Sequence, residues 1–249
     1  MKLLKNIASR PDKDMYVTDL GFVKTFSSAY SKADILNEAL NQARVEETDL
    51  NIPKIRDIEF IDGRWSIIMD YIEGTTLEEF MNANSDKIDE YLELFVDLQR
   101  NVLSKRVPML NKLKDKMQGR ISQAKLDATS RYDLHTRLDA LPKHLNLCHG
   151  DFVPSNIVIT ADGTPYIIDW AHATQGNASA DVAYTYLKFY LEGKEELAEK
   201  YLNLYCKKSD TAKQYVQKWI PIVAASRLTK AKPEEEEFLR KWIDVVDYQ

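Results

Sequence analysis

Residues 1–72 alternate short apolar runs with charged turns, a pattern that predicts strands more than helices. Residues 1–9, 15–18 and 21–26 read as three strands, with Arg10-Pro11-Asp12-Lys13-Asp14 as the turn between the first two. Residues 58–61 and 65–71 read as a hairpin around Asp62-Gly63, because an Asp-Gly pair between apolar runs is a strong hairpin signal. Residues 33–45 have helical periodicity and no breaker. Glu73-Gly74-Thr75-Thr76 reads as a linker: Gly74 breaks the strand, and Thr75 or Thr76 can cap the next helix.

From Leu77 onward helical spacing dominates. Ile88, Leu92, Phe95, Val96, Val102 and Leu103 form an apolar stripe along 86–106. Further helices are predicted at 110–124, 131–141, 178–191, 194–205, 211–228 and 234–246. One hairpin interrupts them. Ile157-Val158-Ile159-Thr160 and residues 165–168 flank a second Asp-Gly pair, Asp162-Gly163. Counting outward from that turn places Ala161 opposite Thr164, Thr160 opposite Pro165 and Asn156 opposite Asp169. Directly opposed residues have Cβ atoms about 4.5–5.5 Å apart, close enough for both side chains to hold one cation. Mg²⁺ favours oxygen ligands, one or two of them carboxylates, together with substrate phosphates.

At 249 residues, with 44% hydrophobic and 29% charged positions, the chain can bury a sizeable core and reads as ordered and helix-rich. A net charge of −5 gives no reason to expect nucleic acid and mildly favours a cationic or neutral small substrate. Two cysteines make neither a disulfide framework nor a metal cluster, and Cys148 reads as a core thiol. No apolar run approaches the roughly 18–20 residues that cross a bilayer, and the N-terminus lacks a secretory pattern. The expectation is a soluble, cytoplasmic protein. The acidic run 234–237 reads as a solvated helix N-terminus, or alternatively as an acidic rim for a cationic substrate.

The chemistry concentrates in His149-Gly150-Asp151-Phe152-Val153-Pro154-Ser155-Asn156 and in Ile168-Asp169-Trp170. Protein kinases carry His-Arg-Asp-x-x-x-x-Asn followed by Asp-Phe-Gly. Here Gly150 stands for Arg and Trp170 for Phe. That form resembles the aminoglycoside phosphotransferase and choline kinase family of small-molecule kinases. The continuation from Ala173 through Gly176-Asn177 to Ala180-Asp181-Val182-Ala183 looks like a subgroup of it, so the specific match spans residues 149–183.

The resemblance implies an α+β, protein-kinase-like bilobal fold. Residues 1–72 would form a nucleotide-binding lobe, a small antiparallel sheet with one helix. Residues 73–249 would form a mainly helical lobe carrying the catalytic hairpin and the acceptor site. It implies ATP and Mg²⁺, with Asp151 as catalytic base and Asn156 and Asp169 as metal ligands. His149 reads as a buried structural hydrogen-bonder, and Asp181 is expected to brace the catalytic loop.

Strand alternation puts Phe22, Lys24 and Phe26 on one face. A lysine between two aromatics either snorkels to solvent or has an anionic partner; in the kinase reading it contacts ATP phosphates. Glu38, on the helical face shared by Ile35, Ala39 and Gln42, is the expected positioning partner. The adenine is expected against the segment after 65–69, with backbone contacts at Asp70, Tyr71 and Ile72.

No glycine-rich loop precedes Lys24, a departure from the family pattern that motivates a non-catalytic nucleotide-binding scaffold as one alternative. A compact atypical protein kinase is another. Gly150 removes the cation that protein kinases use to hold a phosphorylated loop. Only eight residues lead from Trp170 to the helix at 178, with no Ala-Pro-Glu signature. Phosphorylation of a small-molecule hydroxyl is therefore preferred, on a sugar, aminoglycoside, amino alcohol or similar metabolite. Oligomeric state is left open.

Overall fold

The computed structural model describes residues 3–10 and 12–243. Met1 and Lys2 of the expected first strand, Pro11 of the first turn and residues 244–246 of the expected last helix lie outside the described residues. In chain order the first half carries β1 (Leu3–Arg10), β2 (Lys13–Thr18), β3 (Gly21–Phe26), α1 (Lys32–Val45), β4 (Ile55–Ile61) and β5 (Arg64–Met69). It continues with β6 (Thr75–Thr76), α2 (Leu77–Ala83), α3 (Ile88–Ser104), α4 (Leu113–Gln123) and α5 (Ala128–Ala140). Next come β7 (Asn146–Cys148), β8 (Ile157–Ile159), β9 (Pro165–Ile167) and β10 (Thr174–Gly176). The chain then runs through α6 (Ala178–Leu191), α7 (Glu195–Ser209), α8 (Lys213–Gln217), α9 (Ile220–Leu228) and α10 (Pro233–Ile243). These elements divide into two compact units, one comprising 1–86 with 154–173 and the other 87–153 with 174–249.

In the first unit β1 to β5 form an antiparallel sheet in the order β1-β2-β3-β5-β4. One helix, α1, covers it. The Ser31 hydroxyl caps α1 by accepting the Asp34 amide. Ile35 and Ala39 then pack on Phe26 and Ile67, flanked by Tyr30, Ile58 and Trp65. Burying these apolar faces is what fixes the helix on the sheet. A smaller sheet, β6-β8-β9, contains the second hairpin. Two-residue β6 pairs Thr75 with Ile159 and Thr76 with Val158, and then Thr76 caps α2 in a reciprocal capping box with Glu79.

Gly74 lets that pairing close. A Cβ there would sit 2.3 Å from the Ile159 carbonyl oxygen. Gly74→Ala should therefore force backbone apart and lose roughly 1–3 kcal/mol. At about 2–4 °C per kcal/mol for chains of this size, thermal unfolding should report a drop of several degrees. An unchanged midpoint would mean that β6 is not held against β8.

The two Asp-Gly turns differ. Ile61 pairs with Arg64, leaving a two-residue loop with both Asp62 (φ 49°) and Gly63 (φ 79°) in the left-handed region, as a type I′ turn requires. The second turn does not repeat this. Ile157, Val158 and Ile159 pair with Ile167, Tyr166 and Pro165, and the Thr160 amide donates to Thr164 O at 3.1 Å. The loop is thus the three residues 161–163, and the register is displaced by one from the expected pairing. Asn156 lies opposite Ile168, whose amide donates to Asn156 O at 2.9 Å, and not opposite Asp169. The reason is local. In a three-residue loop only Gly163 (φ 84°) takes the left-handed conformation, while the Asp162 carboxylate accepts from the Thr160 hydroxyl and from the Thr164 amide.

In the second unit the α3 stripe is buried as its spacing predicts, with Leu92, Phe95, Val96, Val102 and Leu103 inside. Phe95 contacts the rings of Phe152, Phe189 and Tyr201 at centroid distances of 4.9, 6.0 and 5.6 Å. β7 pairs antiparallel with β10. The helix expected over 211–228 is instead two helices, α8 and α9, meeting at a buried Trp219. Pro221 explains the break, because its ring clashes with the carbonyl four residues back, at Gln217, where α8 ends. The acidic run at the start of α10 is answered by bases: Glu235 pairs with Arg227 at 3.0 Å and Glu237 with Lys241 at 3.0 Å. Among the described residues no helix is long and apolar enough to cross a membrane.

Candidate active site

In the first unit β3 presents Lys24 to a cavity of about 470 Å³. The lysine is nearly buried, with 8% of its side chain exposed, and two carboxylates meet it: Glu38 Oε1 at 2.5 Å and Asp169 Oδ1 at 3.1 Å. Burial opposes the ammonium, but Asp169 and Glu38 more than offset it and hold the Lys24 pKa above the usual lysine value. Glu38 also accepts Lys13 Nζ at 3.1 Å. Lys13 is held below the ordinary value by burial and then by the neighbouring Lys24 charge. It lies over the rings of Phe26 and Tyr30 at 5.0 and 4.7 Å.

Asp169 reaches this lysine by a backbone turn. Its φ of 65° and ψ of 60° lie in the left-handed region, which aspartate enters more readily than most residues but still at some strain. The turn is pinned on both sides. Trp170, fully buried, donates its indole N–H to Ile167 O at 3.0 Å. Asn41 of α1 donates to Ala171 O at 3.1 Å.

Asn156 and Asp169 line the same cavity, although they are not opposed across the hairpin. Apolar walls come from Ile67, Met69, Val158 and Ile168, and Asp70, Tyr71 and Ile72 lie along it as well. The Asp70 carboxylate is engaged by Arg56 Nε at 2.6 Å, and its amide donates to Lys54 O at 2.9 Å.

In the second unit Asp151 follows β7 on a loop held by one helical face. The Gly150 amide, at φ 79°, donates to Asp181 Oδ1 at 2.7 Å. Thr185 Oγ1 donates to Phe152 O at 2.7 Å. Tyr184 donates its hydroxyl to Asp151 Oδ1 at 3.1 Å. Asp181, Tyr184 and Thr185 stand three and four residues apart on α6, so a single turn of helix fixes three consecutive loop residues.

Burial raises the Asp181 pKa, countered by the neighbouring His149 and by the loop amides. His149 is fully buried, and its Nδ1 accepts the Asp151 amide at 3.2 Å. Cys148 is fully buried too, and burial pushes its thiol well up. Burial, then the Asp151 charge, raises the Tyr184 hydroxyl above its ordinary value. It therefore stays a donor at neutral pH.

The structure thus brings Lys24, Glu38, Asn156 and Asp169 together in the first unit and seats Asp151 on a braced loop in the second. Sequence reasoning missed Lys13, whose place beside Glu38 follows from the pairing of Lys13 with Phe26 across β2 and β3. It also missed Tyr184 and Arg227. Arg227 Nη1 donates to the Tyr184 hydroxyl at 2.9 Å, a contact between distant helices that no local pattern marks.

A buried lysine between two carboxylates, under a helix-covered antiparallel sheet followed by a helical region, defines the kinase-like phosphotransferase fold. The crystal structure of the aminoglycoside phosphotransferase APH(4)-Ia shares it at a TM-score of 0.71 and 13% identity, over 96% of this chain and 91% of that one. A thermostable mutant of that protein in ternary complex with ADP and hygromycin B gives 0.72 at 13% identity, over the same shares. Choline kinase LicA from Streptococcus pneumoniae gives 0.63 at 16% identity, over 100% and 89%. Among curated proteins, none matches significantly. The profile of the phosphotransferase enzyme family matches residues 12–219, and the chain belongs to that family.

Proposed function

We propose that this protein transfers the γ-phosphoryl group of ATP to a hydroxyl of a small molecule. The observation that carries the reading is Lys24, nearly buried and shared by Glu38 and Asp169 in a cavity that Asn156 also lines. A buried ammonium so placed is suited to the β- and γ-phosphates, and Glu38 holds it in position while Lys13 compensates the second Glu38 oxygen. The backbone at Asp70 to Ile72 offers an edge for the adenine, with Ile67 and Met69 as an apolar wall.

The donor set suits Mg²⁺: Asn156 and Asp169 supply one amide and one carboxylate oxygen. Among the described residues no cluster of three His, Cys, Asp or Glu side chains competes for a softer metal. Bound there, Mg²⁺ would neutralise charge on the phosphates. Asp151 accepts the acceptor's hydroxyl proton as its oxygen bonds to the γ-phosphorus. The bond from that phosphorus to the bridging oxygen breaks and ADP leaves. Tyr184 fixes Asp151 through one carboxylate oxygen, Oδ1.

A small acceptor is favoured over a peptide. Gly150 supplies no cation for a phosphorylated loop, and the short β10 and the start of α6 follow Trp170 within eight residues.

The test is an ATP-consumption screen over sugars, amino alcohols, aminoglycosides and hydroxylated anions, with Asp151→Asn as the blank. At least one compound should be turned over by the wild type well above the blank. Equal turnover by both for every compound would overturn the assignment of Asp151.

A further inference from the structure

We propose that Arg227 of α9, held in place by Glu235 of α10, is a positioning residue for the reaction: it aims the Tyr184 hydroxyl at Asp151 and so sets the orientation of the base. This rests on the phosphotransferase reading, which gives Asp151 its role, and adds two residues that act only through Tyr184.

The chain of contacts starts in the acidic run at the head of α10. Glutamates in a first helical turn are ordinarily solvated and complement the helix dipole. Glu235 departs from that. Its side chain is 18% exposed, against 41% for Glu236 and 86% for Glu237. It turns back toward α9, where Oε1 accepts Arg227 Nη2 at 3.0 Å, while Oε2 accepts the Lys232 amide at 3.4 Å. Arg227 is covered to the same degree as its partner.

From there the guanidinium reaches α6. Arg227 Nη1 donates to the Tyr184 hydroxyl at 2.9 Å, and the guanidinium carbon lies 5.7 Å from the centre of the Tyr184 ring. A guanidinium carries donors only, whereas a phenol has one proton and accepting lone pairs. Arg227 therefore occupies an accepting side of the Tyr184 oxygen. The single proton is directed to Asp151 Oδ1, 3.1 Å away. Because burial and the Asp151 charge keep Tyr184 protonated, that proton is present at neutral pH. Hydrogen bonds in series polarise one another, so a charged donor at the head strengthens the bond at Asp151.

Packing alone does not account for the arginine. Its Nε is buried with no acceptor among the described residues, and an unmet buried donor is unfavourable. An apolar side chain of similar volume would fill the space without that cost. It could not direct the Tyr184 proton.

The experiment measures kcat and KM on the full chain, with a compound that the wild type phosphorylates. Arg227→Met, Tyr184→Phe and the double variant form a cycle. Removing Arg227 leaves Glu235 without its partner in a covered position, which can unfold the chain. Arg227→Met/Glu235→Gln, which strands no carboxylate, is therefore made alongside, and thermal unfolding reports that each variant is folded.

The expected result is that Arg227→Met lowers kcat by up to about tenfold, no more than Tyr184→Phe does, with KM for ATP unchanged. Arg227→Lys, which keeps a cationic donor, recovers part of the loss. The two losses do not multiply: the double variant is as slow as Tyr184→Phe alone, about tenfold below the wild type rather than about a hundredfold.

Full kcat in folded Arg227 variants overturns the proposal. Losses that multiply with Tyr184→Phe do so too, since Arg227 would then act by another route. A loss that raises KM for ATP along with lowering kcat marks a structural role and has the same meaning. In each of these cases the wild type is active and the kinase reading stands. A wild type that turns over no compound faster than Asp151→Asn removes the phosphotransferase reading itself, and this proposal with it.

Discussion

Lys24→Met is expected to slow phosphate transfer about 10²–10³-fold and to destabilise the protein by about 3 kcal/mol. Both effects have one source. Removing one member of a buried ion pair leaves the other uncompensated, at roughly 3–5 kcal/mol. The lower end applies here because Lys13 still answers Glu38 and because 36% of the Asp169 side chain is exposed. On the functional side, deleting a charged donor aimed at developing phosphate charge lowers kcat about 10²–10³-fold.

The alkaline limb gives a further check. The folded pKa of Lys24 is raised above the ordinary lysine value of 10.5, so the stability it contributes is fully present below that value and is lost as pH rises through the higher folded pKa. The stability difference between wild type and Lys24→Met should therefore be constant from pH 7 to 10 and shrink only above that. Chemical denaturation across this range measures it. A difference that vanished between pH 7 and 9 would mean Lys24 is not held as an ammonium by Glu38 and Asp169.

Asp151→Asn should fold like the wild type and lose about 10²–10⁴ in kcat, the usual contribution of a general base. The asparagine keeps the acceptor for the Tyr184 hydroxyl, so the loop over Gly150 to Phe152 stays braced by Asp181 and Thr185. Tyr184→Phe should be milder. It removes one hydrogen bond to a carboxylate, about 1.5 kcal/mol or roughly tenfold in kcat, and leaves nucleotide affinity unchanged. Steady-state kinetics with nucleotide varied separates the two. If Tyr184→Phe proved as damaging as Asp151→Asn, the tyrosine and not the aspartate would be the group that handles the proton.

Much of this was legible in the residues. Period-two alternation put Lys24 on the face of Phe22 and Phe26, and the helical face of Ile35, Glu38 and Ala39 supplied its partner; the 2.5 Å Lys24–Glu38 contact realises both patterns. Spacing alone also located the sheet strands, the α3 stripe and the Thr76 cap. The rest depended on competition that spacing does not encode. The same dipeptide closes a two-residue loop at Asp62-Gly63 and a three-residue loop over 161–163, because Thr160 and Thr164 give the second aspartate something to hold. That choice displaced Asn156 from Asp169 by one residue, and the left-handed turn at Asp169 returns both side chains to one cavity. Pro221, inside an otherwise helical pattern, divided α8 from α9. Two-residue β6 was too short to show any period.

The central claim is that Asn156 and Asp169 hold a nucleotide-bound metal beside Lys24. Thermal unfolding with ATP, in Mg²⁺ and in chelator, tests it on the wild type and on Asp169→Asn. At ATP about 100-fold above its dissociation constant, the wild type should gain about 2.7 kcal/mol in Mg²⁺, several degrees for a chain of this size. Most of that gain should disappear with chelator or with Asp169→Asn. An equal gain with and without metal, or in both proteins, would contradict the account.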